Sequence, residues 1–387
     1  MEAMIVGTGI TRFGMFVETP LRELASSAAD QALTDAGLTG DDVGLVIFGN
    51  AAAGLLTGQE MIRAHTALAD SKVAGRPMMS VENACASSSS AFHLATIAVT
   101  SGSYDTVLVV GAEKMTSTDR SRAGKALAAA VDVERTDQDT SSGSVFMDIY
   151  AAEAREYMHR TGATERDLAI VAAKNSRNGS INPIAQSQTE LTVDDVLAAR
   201  SIVAPLTRPM CSSIGDGAAA VVVTRPEAAP SDRGPGVEVL ASAVGAARTG
   251  DAGDVVARTA RQAYENAAVG PDDLDLCEVH DAAAPAELVI AEELGITAAG
   301  DGVELVRQDS TALNGKIPLN PSGGLTARGH PVGATGTAQI VELTDQLRGR
   351  CSERQVEHAR IALAENAGGS LGNGPAACAV TILGARL

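Results

Sequence analysis

The sequence predicts an α/β fold written twice, with an insertion in the first copy. Strand–helix–strand alternation with short turns argues for parallel strands covered by helices. Two helix–turn–strand stretches agree without a gap, Ala32 with Ala263, Ala36 with Ala267 and Asp41-Asp42 with Asp272-Asp273. The segment between the copies has no counterpart in either.

The first copy opens with the apolar stretch Met4 to Gly9, a strand. Leu21 to Ala51 follows as helix, glycine turn and strand: Ala25, Ala28, Ala29, Ala32, Leu33 and Ala36 recur at helical spacing, and Leu45-Val46-Ile47-Phe48 is a short buried run. Pro77 to Val81 is a further strand, Ala86 to Thr100 a helix and Thr106 to Glu113 a strand. The second copy repeats the plan with strand Val237 to Gly245, helix and strand across Val256 to Ala282, helix Thr335 to Leu347 and strand Arg360 to Gly369. Between them, Met115 to Ile202 reads as an excursion with a Ser-rich turn (Thr140 to Ser144), helices near Ile149 to Arg160 and Arg166 to Asn175, and Asn- and Gln-rich loops. The first copy then closes with Asp216 to Thr224. Clustered Pro and Gly in Pro226 to Gly236 mark the boundary, which gives one half at 1–225, its insertion at about 115–205, and a second half at 236–387.

Composition fits a globular chain of this size. The 387 residues are 45% hydrophobic and 20% charged, and 39 Gly allow close backbone approach in a core of Ala, Val, Leu and Ile. Aromatics are only 2%, without Trp, which argues against stacking platforms for single-stranded nucleic acid. A net charge of −18 has the wrong sign for binding a phosphate backbone. No apolar run is long enough to span a bilayer, and the N-terminal stretch reads as a strand and not as a signal peptide. Five cysteines, widely spaced and without a CxxC pair, suggest neither a disulfide framework nor a zinc ribbon. The expectation is a reduced, cytoplasmic protein without a metal site.

Residues able to do chemistry fall at matched places in the two copies. Cys85, in SVENACASSSSAFHLA, lies between a strand and a helix; a thiol at a helix N-terminus is expected to have a lowered pKa, and the small residues Ala84, Ala86 and Ser87 to Ser90 leave room for a substrate. His330, in NPSGGLTARGHPVGATG, precedes the corresponding helix of the second copy, within a loop carrying five glycines between positions 323 and 336. If the pseudo-twofold brings the two helix starts together, Cys85 and His330 form a nucleophile–base pair of the kind covalent acyl transfer needs. His280, in LCEVHDAAAP, follows a strand and could hold a developing oxyanion, or simply pair with Asp281. Gly368 and Gly369, in ENAGGSLG, offer backbone N–H groups for the same purpose. Cys211, Cys277, Cys351 and Cys378 read as packing or surface residues, and His65, His93, His159 and His358 share no metal-ligand spacing. GxGxxG, GxSxG and GxxxxGK[ST] are absent.

NACASS around Cys85, VHD at His280, NPSGGLTARGHPVGATG around His330 and ENAGGSLG near the end, in this order along nearly the full chain, resemble the thiolases, in particular the sterol-carrier-protein-type and bacterial lipid-transfer branch. The resemblance implies the thiolase fold, a duplicated five-layered αβαβα arrangement with an inserted loop domain, in a homodimer or tetramer. It implies coenzyme A thioesters as substrates with no permanently bound cofactor, and a role in lipid metabolism. Carried over, Cys85 accepts the acyl group, His330 is its base, His280 serves the oxyanion, and Ser322 and Gly323 of the NPSGG element contact coenzyme A.

Two positions depart from the family pattern. Most thiolases carry a second cysteine in a late CxG element, or in this branch directly after the His-Asp pair, that moves the substrate α-proton. Here those places hold Glu365-Asn366-Ala367-Gly368-Gly369 and Ala282, so Glu365 becomes the candidate acid/base. The reaction expected is thiolytic cleavage of a 3-ketoacyl-CoA or the reverse condensation. Alternatives are acyl delivery to a non-CoA acceptor, a retro-aldol lyase, or a non-catalytic CoA- or lipid-binding subunit. Members of this branch often work with a small zinc-ribbon/OB-fold protein, a further possible partner. Coenzyme A phosphates must meet local bases in an acidic protein, and Lys114, Arg120, Arg122, Lys125, Lys174 and Arg177 are the candidates.

Overall fold

The computed structural model describes residues 2–119, 121–134, 140–230, 236–248, 254–372 and 374–386. Within them nine strands make one mixed sheet: β1 (Met4–Ile10), β2 (Leu45–Gly49), β3 (Met78–Val81), β4 (Thr106–Lys114), β5 (Asp216–Thr224), β6 (Val237–Ala246), β7 (Leu276–Glu278), β8 (Ile361–Gly368) and β9 (Ala377–Ala385). Their order is β3-β2-β4-β5-β1-β6-β9-β8-β7. Outward from the middle, β1, β5, β4, β2 mirrors β6, β9, β8, β7, with β3 as an extra edge. The pairings repeat as well. β2–β4 and β7–β8 are parallel, while β4–β5, β5–β1, β8–β9 and β9–β6 are antiparallel. Within the sheet, among the described residues, the halves pair through β1 and β6, at Met4↔Glu238 and Ile5↔Val237. The duplication read from the helix–turn–strand stretches is therefore a duplication of topology.

Seven helices position the rest: α1 (Leu21–Ala36), α2 (Ser87–Thr100), α3 (Val145–Thr161), α4 (Glu165–Ser180), α5 (Val255–Ala267), α6 (Pro285–Glu293) and α7 (Thr335–Leu347). The alanine face of α1 covers β1, β4 and β5 of the first half, and α5 covers β6 and β9 of the second. Helices α2 and α7 lie against each other and against strands of both halves, which makes the sequence of layers α, β, α, β, α. The central core shows the sandwich directly: Phe92 and Ala95 of α2 and Ile340 and Leu343 of α7 are buried together with Val109 and Val221 of one half and Leu276 and Leu383 of the other. Each such apolar side chain contributes about 1.5–3 kcal/mol when fully buried, so this central layer is held rigidly.

The insertion packs against the second half in a cluster where Ala151 and Tyr157 of α3 meet Leu168 and Ala172 of α4 and Leu288 of α6. Helix α3 starts earlier than its apolar spacing suggested, because the Ser144 hydroxyl accepts the Met147 N–H at 3.5 Å and caps it. Helix α4 opens with Thr164 and Asp167 in a reciprocal capping box. No described helix is long and apolar enough to cross a membrane. All five cysteines are free and buried, including Cys351, whose flanking residues suggested an exposed loop.

Candidate active site

After β3 the chain reaches Ala84, whose φ of +48° is left-handed, a conformation that costs a non-glycine residue about 1–2 kcal/mol. A single 3-10 turn, Ala84–Ala86, then leads into α2 with Cys85 at its centre. Local hydrogen bonds hold the strained turn. The Ser87 hydroxyl accepts the Asn83 N–H at 3.0 Å and donates to the Ala84 carbonyl at 2.6 Å, and the Asn83 amide donates to Ser90 Oγ at 2.9 Å. The second half repeats the device: His330 and Pro331 lead into the 3-10 turn Val332–Ala334 and then α7. Because α2 and α7 pack together, the two turns face each other, and His280 arrives from the end of β7 in the same half as His330. Cys85 Sγ and one ring nitrogen from each of His280 and His330 lie within 4.8 Å of one another, all buried. The two imidazoles meet edge to face at 5.2 Å. Among the described residues these three are also the group whose donor atoms are close enough together to hold a metal ion.

Hydrogen bonding assigns the proton on His330. The Thr335 hydroxyl lies 2.7 Å from His330 Nδ1 and 3.2 Å from the Pro331 carbonyl; where it donates to that carbonyl, it accepts at Nδ1. Nδ1 then carries the proton, and Nε2 is left with a lone pair. Burial, with His280 and Arg328 nearby, holds the His330 pKa well below its ordinary value. Burial likewise lowers His280 to about 4, and its Nε2 has no hydrogen-bond partner. Both imidazoles are therefore neutral near pH 7.

One sequence expectation is overturned here. A helix start was to acidify Cys85, but desolvation raises its pKa to about 12, with the Glu113 carboxylate adding to the rise. Opposing this are backbone N–H groups of Gly369 and of Cys85 itself at the sulfur. The reason is tertiary: the helix start is sealed under the opposite half, and loss of water outweighs about half a unit charge of helix dipole. The resting pair is a neutral thiol beside a neutral base.

The serines after Cys85 do not make room for a substrate. Ser87 to Ser90 are all buried and tie α2 to the second half: Ser88 Oγ accepts the Thr337 N–H of α7 at 3.0 Å and Ser89 Oγ donates to Asn366 Oδ1 of β8 at 2.7 Å. Gly368 and Gly369 sit against the nucleophile turn. A Cβ on Gly368 would lie 2.2 Å from the Asn83 carbonyl oxygen, and Gly369 has φ +64°. Gly369→Ala is expected to displace the N–H at the sulfur and to lower kcat by about 10²–10³-fold, as loss of one preorganised donor does. Steady-state kinetics should show the loss in kcat more than in KM.

Glu365 does not line the cavities that contain Cys85. One carboxylate oxygen accepts the His280 backbone N–H at 3.0 Å and the other lies 3.7 Å from the Cys378 thiol, so its visible work is to position His280. Burial raises its pKa from 4.5 to about 7. Folding thus favours the protonated form: the stability it lends is full below pH 4.5 and is lost as pH rises through about 7. Glu365→Gln is expected to flatten the unfolding free energy across that window by about 3 kcal/mol, measurable in denaturant titrations at several pH values.

Ser322 and Gly323 are not at a ligand surface either. The Ser322 N–H and hydroxyl donate to Glu278 at 2.9 and 2.8 Å beneath the site, and Gly323 packs on Gly179. Asp281 does not pair with the His280 ring; its carboxylate receives Asn175 Nδ2 at 2.8 Å and the Leu325 N–H at 2.6 Å.

Two cavities meet at Cys85. The larger, about 870 Å³, also holds His330, Ala282, Tyr150 and three arginines, Arg63, Arg200 and Arg208. The smaller, about 320 Å³, holds His280, Gly369 and again Tyr150. Of the expected phosphate partners, Lys114 is locked to Asp216 at 2.8 Å and Lys174 to Glu287 at 2.8 Å, both buried. Arg122, Lys125 and Arg177 are exposed and line neither cavity, and Arg120 lies outside the described residues. The arginines that face the cavity come from segments with no sequence motif. Cys211, read as a packing or surface residue, lines the larger cavity and bridges to Ala283, but its thiol donates to the Thr207 carbonyl at 3.5 Å. Sequence reasoning also missed Tyr150, whose only signal was an aromatic pair with Phe146 at helical spacing. It missed Glu113 as well, a lone carboxylate ending an apolar strand. Glu113 is buried with its pKa raised to about 7, and it accepts the Ala51 N–H at 2.9 Å and the Gly333 N–H at 3.1 Å, tying the cavity rim to the His330 loop.

Comparison with known proteins agrees with this architecture over nearly its whole length. The family described as "Thiolase, N-terminal domain" matches residues 3–227, and "Thiolase C-terminal domain-like" matches residues 246–384. An acetyl-CoA acetyltransferase of Methanothermobacter thermautotrophicus is 37% identical over 379 residues, covering 96% of this chain and 97% of that one. The benzoylsuccinyl-CoA thiolase subunit BbsB of Thauera aromatica is 35% identical, covering 95% of each. Human sterol carrier protein 2 is 31% identical across 95% of this chain and 70% of its own. Among solved structures, an Ltp2-ChsH2(DUF35) aldolase superposes with a TM-score of 0.80 at 24% identity, covering 99% and 98% of the two chains, a likeness of fold. With its mirrored half-sheets, its paired helix starts and both family halves matched in order, the chain belongs to the thiolase family.

Proposed function

We propose that the protein is an acyltransferase acting on coenzyme A thioesters through an acyl-thioester on Cys85. The observation that carries this reading is the thiol and two neutral imidazoles within 4.8 Å, at the junction of two cavities. As Cys85 Sγ attacks a substrate carbonyl, its proton passes to His330 Nε2, which the Thr335 hydrogen bond leaves free to accept it. Charge gathers on the carbonyl oxygen, where the unpartnered His280 Nε2 is available. For a 3-ketoacyl-CoA the C2–C3 bond breaks, C2 leaves with the bonding pair and takes the proton from the His330 imidazolium, and the shortened acyl group stays on sulfur. The thiol of coenzyme A then attacks that thioester, its proton goes to His330, and Cys85 leaves and is reprotonated. The larger cavity offers Arg200 and Arg208 to the anionic carrier, Arg63 being paired with Glu60 at 3.0 Å. Relatives named as an acetyltransferase and as a thiolase act in the same sense. Double-reciprocal plots with 3-ketoacyl-CoA and coenzyme A both varied are expected to give parallel lines, the mark of a covalent intermediate; intersecting lines would contradict it.

A second reading, delivery of the acyl group to an acceptor other than coenzyme A, is favoured by one observation. The other thiol on the cavity wall among the described residues, Cys211, points its proton at Thr207 and lies outside the Cys85 cluster, so no second cysteine stands ready to move an α-proton. Product analysis with and without coenzyme A separates the two. The exposed Met79 on edge strand β3, and Leu94 and Ile97 on the adjoining α2, favour self-association in this reading. One relative's name as a subunit favours a second polypeptide.

A further inference from the structure

We propose that the smaller cavity seats the acyl group, and that its Glu153, Glu156 and Glu293 wall admits acyl chains ending in a neutral or cationic group while excluding those ending in a carboxylate. This deepens the acyl-cysteine reading and rests on it. The cavity starts at Cys85, and His280, 4% exposed with its Nε2 unpartnered, belongs to its lining, so a carbonyl held there lies against both groups. The anionic carrier has its own space in the larger, arginine-bearing cavity, which leaves this one for the chain on the far side of the thioester. Ile149 of α3, Val289 and Ile290 of α6, and Pro375 give it an apolar wall suited to methylene groups.

Its charges are one-sided. Glu153 and Glu156 from α3, both exposed at the cavity mouth, and the half-buried Glu293 from α6 have no ion pair or hydrogen bond among the described residues. The cation of the lining, Arg160, is already committed: it lies 3.3 Å from Glu292 and 5.2 Å over the Tyr157 ring. The carboxyls feel the crowding, since desolvation raises Glu153 to about 7 and Glu293 to about 8, with neighbouring glutamates adding to both shifts, so the wall carries its full negative charge only above about pH 8. A substrate carboxylate would add another negative charge with no base to receive it, an arrangement that binding sites use to reject a wrong partner.

The test uses two thioesters of equal chain length, pentanoyl-CoA and glutaryl-CoA, with acetyl-CoA as a short control, at about pH 9 where all three wall carboxyls are ionised, and follows acylation of the full chain by rapid quench and intact-protein mass. The wild-type protein is expected to take the pentanoyl group about tenfold or more faster than the glutaryl group. The Glu153→Gln, Glu156→Gln, Glu293→Gln triple variant is expected to bring the two rates within about threefold of each other. The ratio is the readout, so a variant that acylates more slowly overall still answers the question. Equal wild-type rates, or a ratio unchanged in the triple variant, would overturn this inference while leaving Cys85 as the acyl carrier. Absence of an adduct with all three thioesters would overturn the acyl-cysteine reading and this inference with it.

Discussion

Cys85→Ala is expected to lower kcat/KM by about 10⁴-fold or more, the scale on which removal of a covalent nucleophile acts. The fold should survive. Cys85 is buried beside Leu56, Met115 and Val332, and losing one sulfur there costs about 1–2 kcal/mol, a small shift in Tm for a chain with four other large apolar clusters. Activity loss with an intact melting transition separates chemistry from stability. A variant retaining more than about one per cent of wild-type kcat/KM would remove the sulfur from the reaction.

His330→Ala carries the second large effect, about 10³-fold in kcat/KM near neutral pH, and a change in pH dependence that a merely structural role would not produce. In the wild-type protein the thiol titrates at about 12 and the imidazole well below its ordinary value, so both are neutral from weakly acidic to weakly alkaline solution. Its kcat/KM should be nearly flat with pH there. Without the imidazole, reaction waits for the small thiolate population set by the thiol alone, and the residual rate should climb about tenfold per pH unit. A variant with a flat profile would show that His330 does not take the proton.

Much of this was legible in the sequence because the fold is locally consistent. The alanines of α1 and α5 and the apolar runs of β2 and β4 are spaced for one structure each, and their repetition put Cys85 and His330 at equivalent turns. What was not legible depends on how the halves close on each other. Ser87 to Ser90 look like an open, capped helix start, yet all four are buried, with Ser88 bonded to α7 and Ser89 to β8. That same contact buries the thiol and reverses the expected sign of its pKa shift. Ser322 belongs to a motif specific enough to suggest ligand binding, but its hydroxyl serves the buried Glu278–Arg328 pair at 3.0 Å, a partnership no spacing rule shows. The cavity arginines, Tyr150 and the glutamates of α3 and α6 come from surface segments of ordinary composition, and only tertiary structure brings them to the sulfur.

The most direct measurement is the mass of the intact protein after brief mixing with acetyl-CoA and acid quench, followed by proteolytic mapping. A gain of one acetyl group, located on the peptide bearing Cys85 and labile to hydroxylamine, is the predicted result. An unmodified protein that nonetheless turns over, or an acetyl group carried on another residue, would contradict the account.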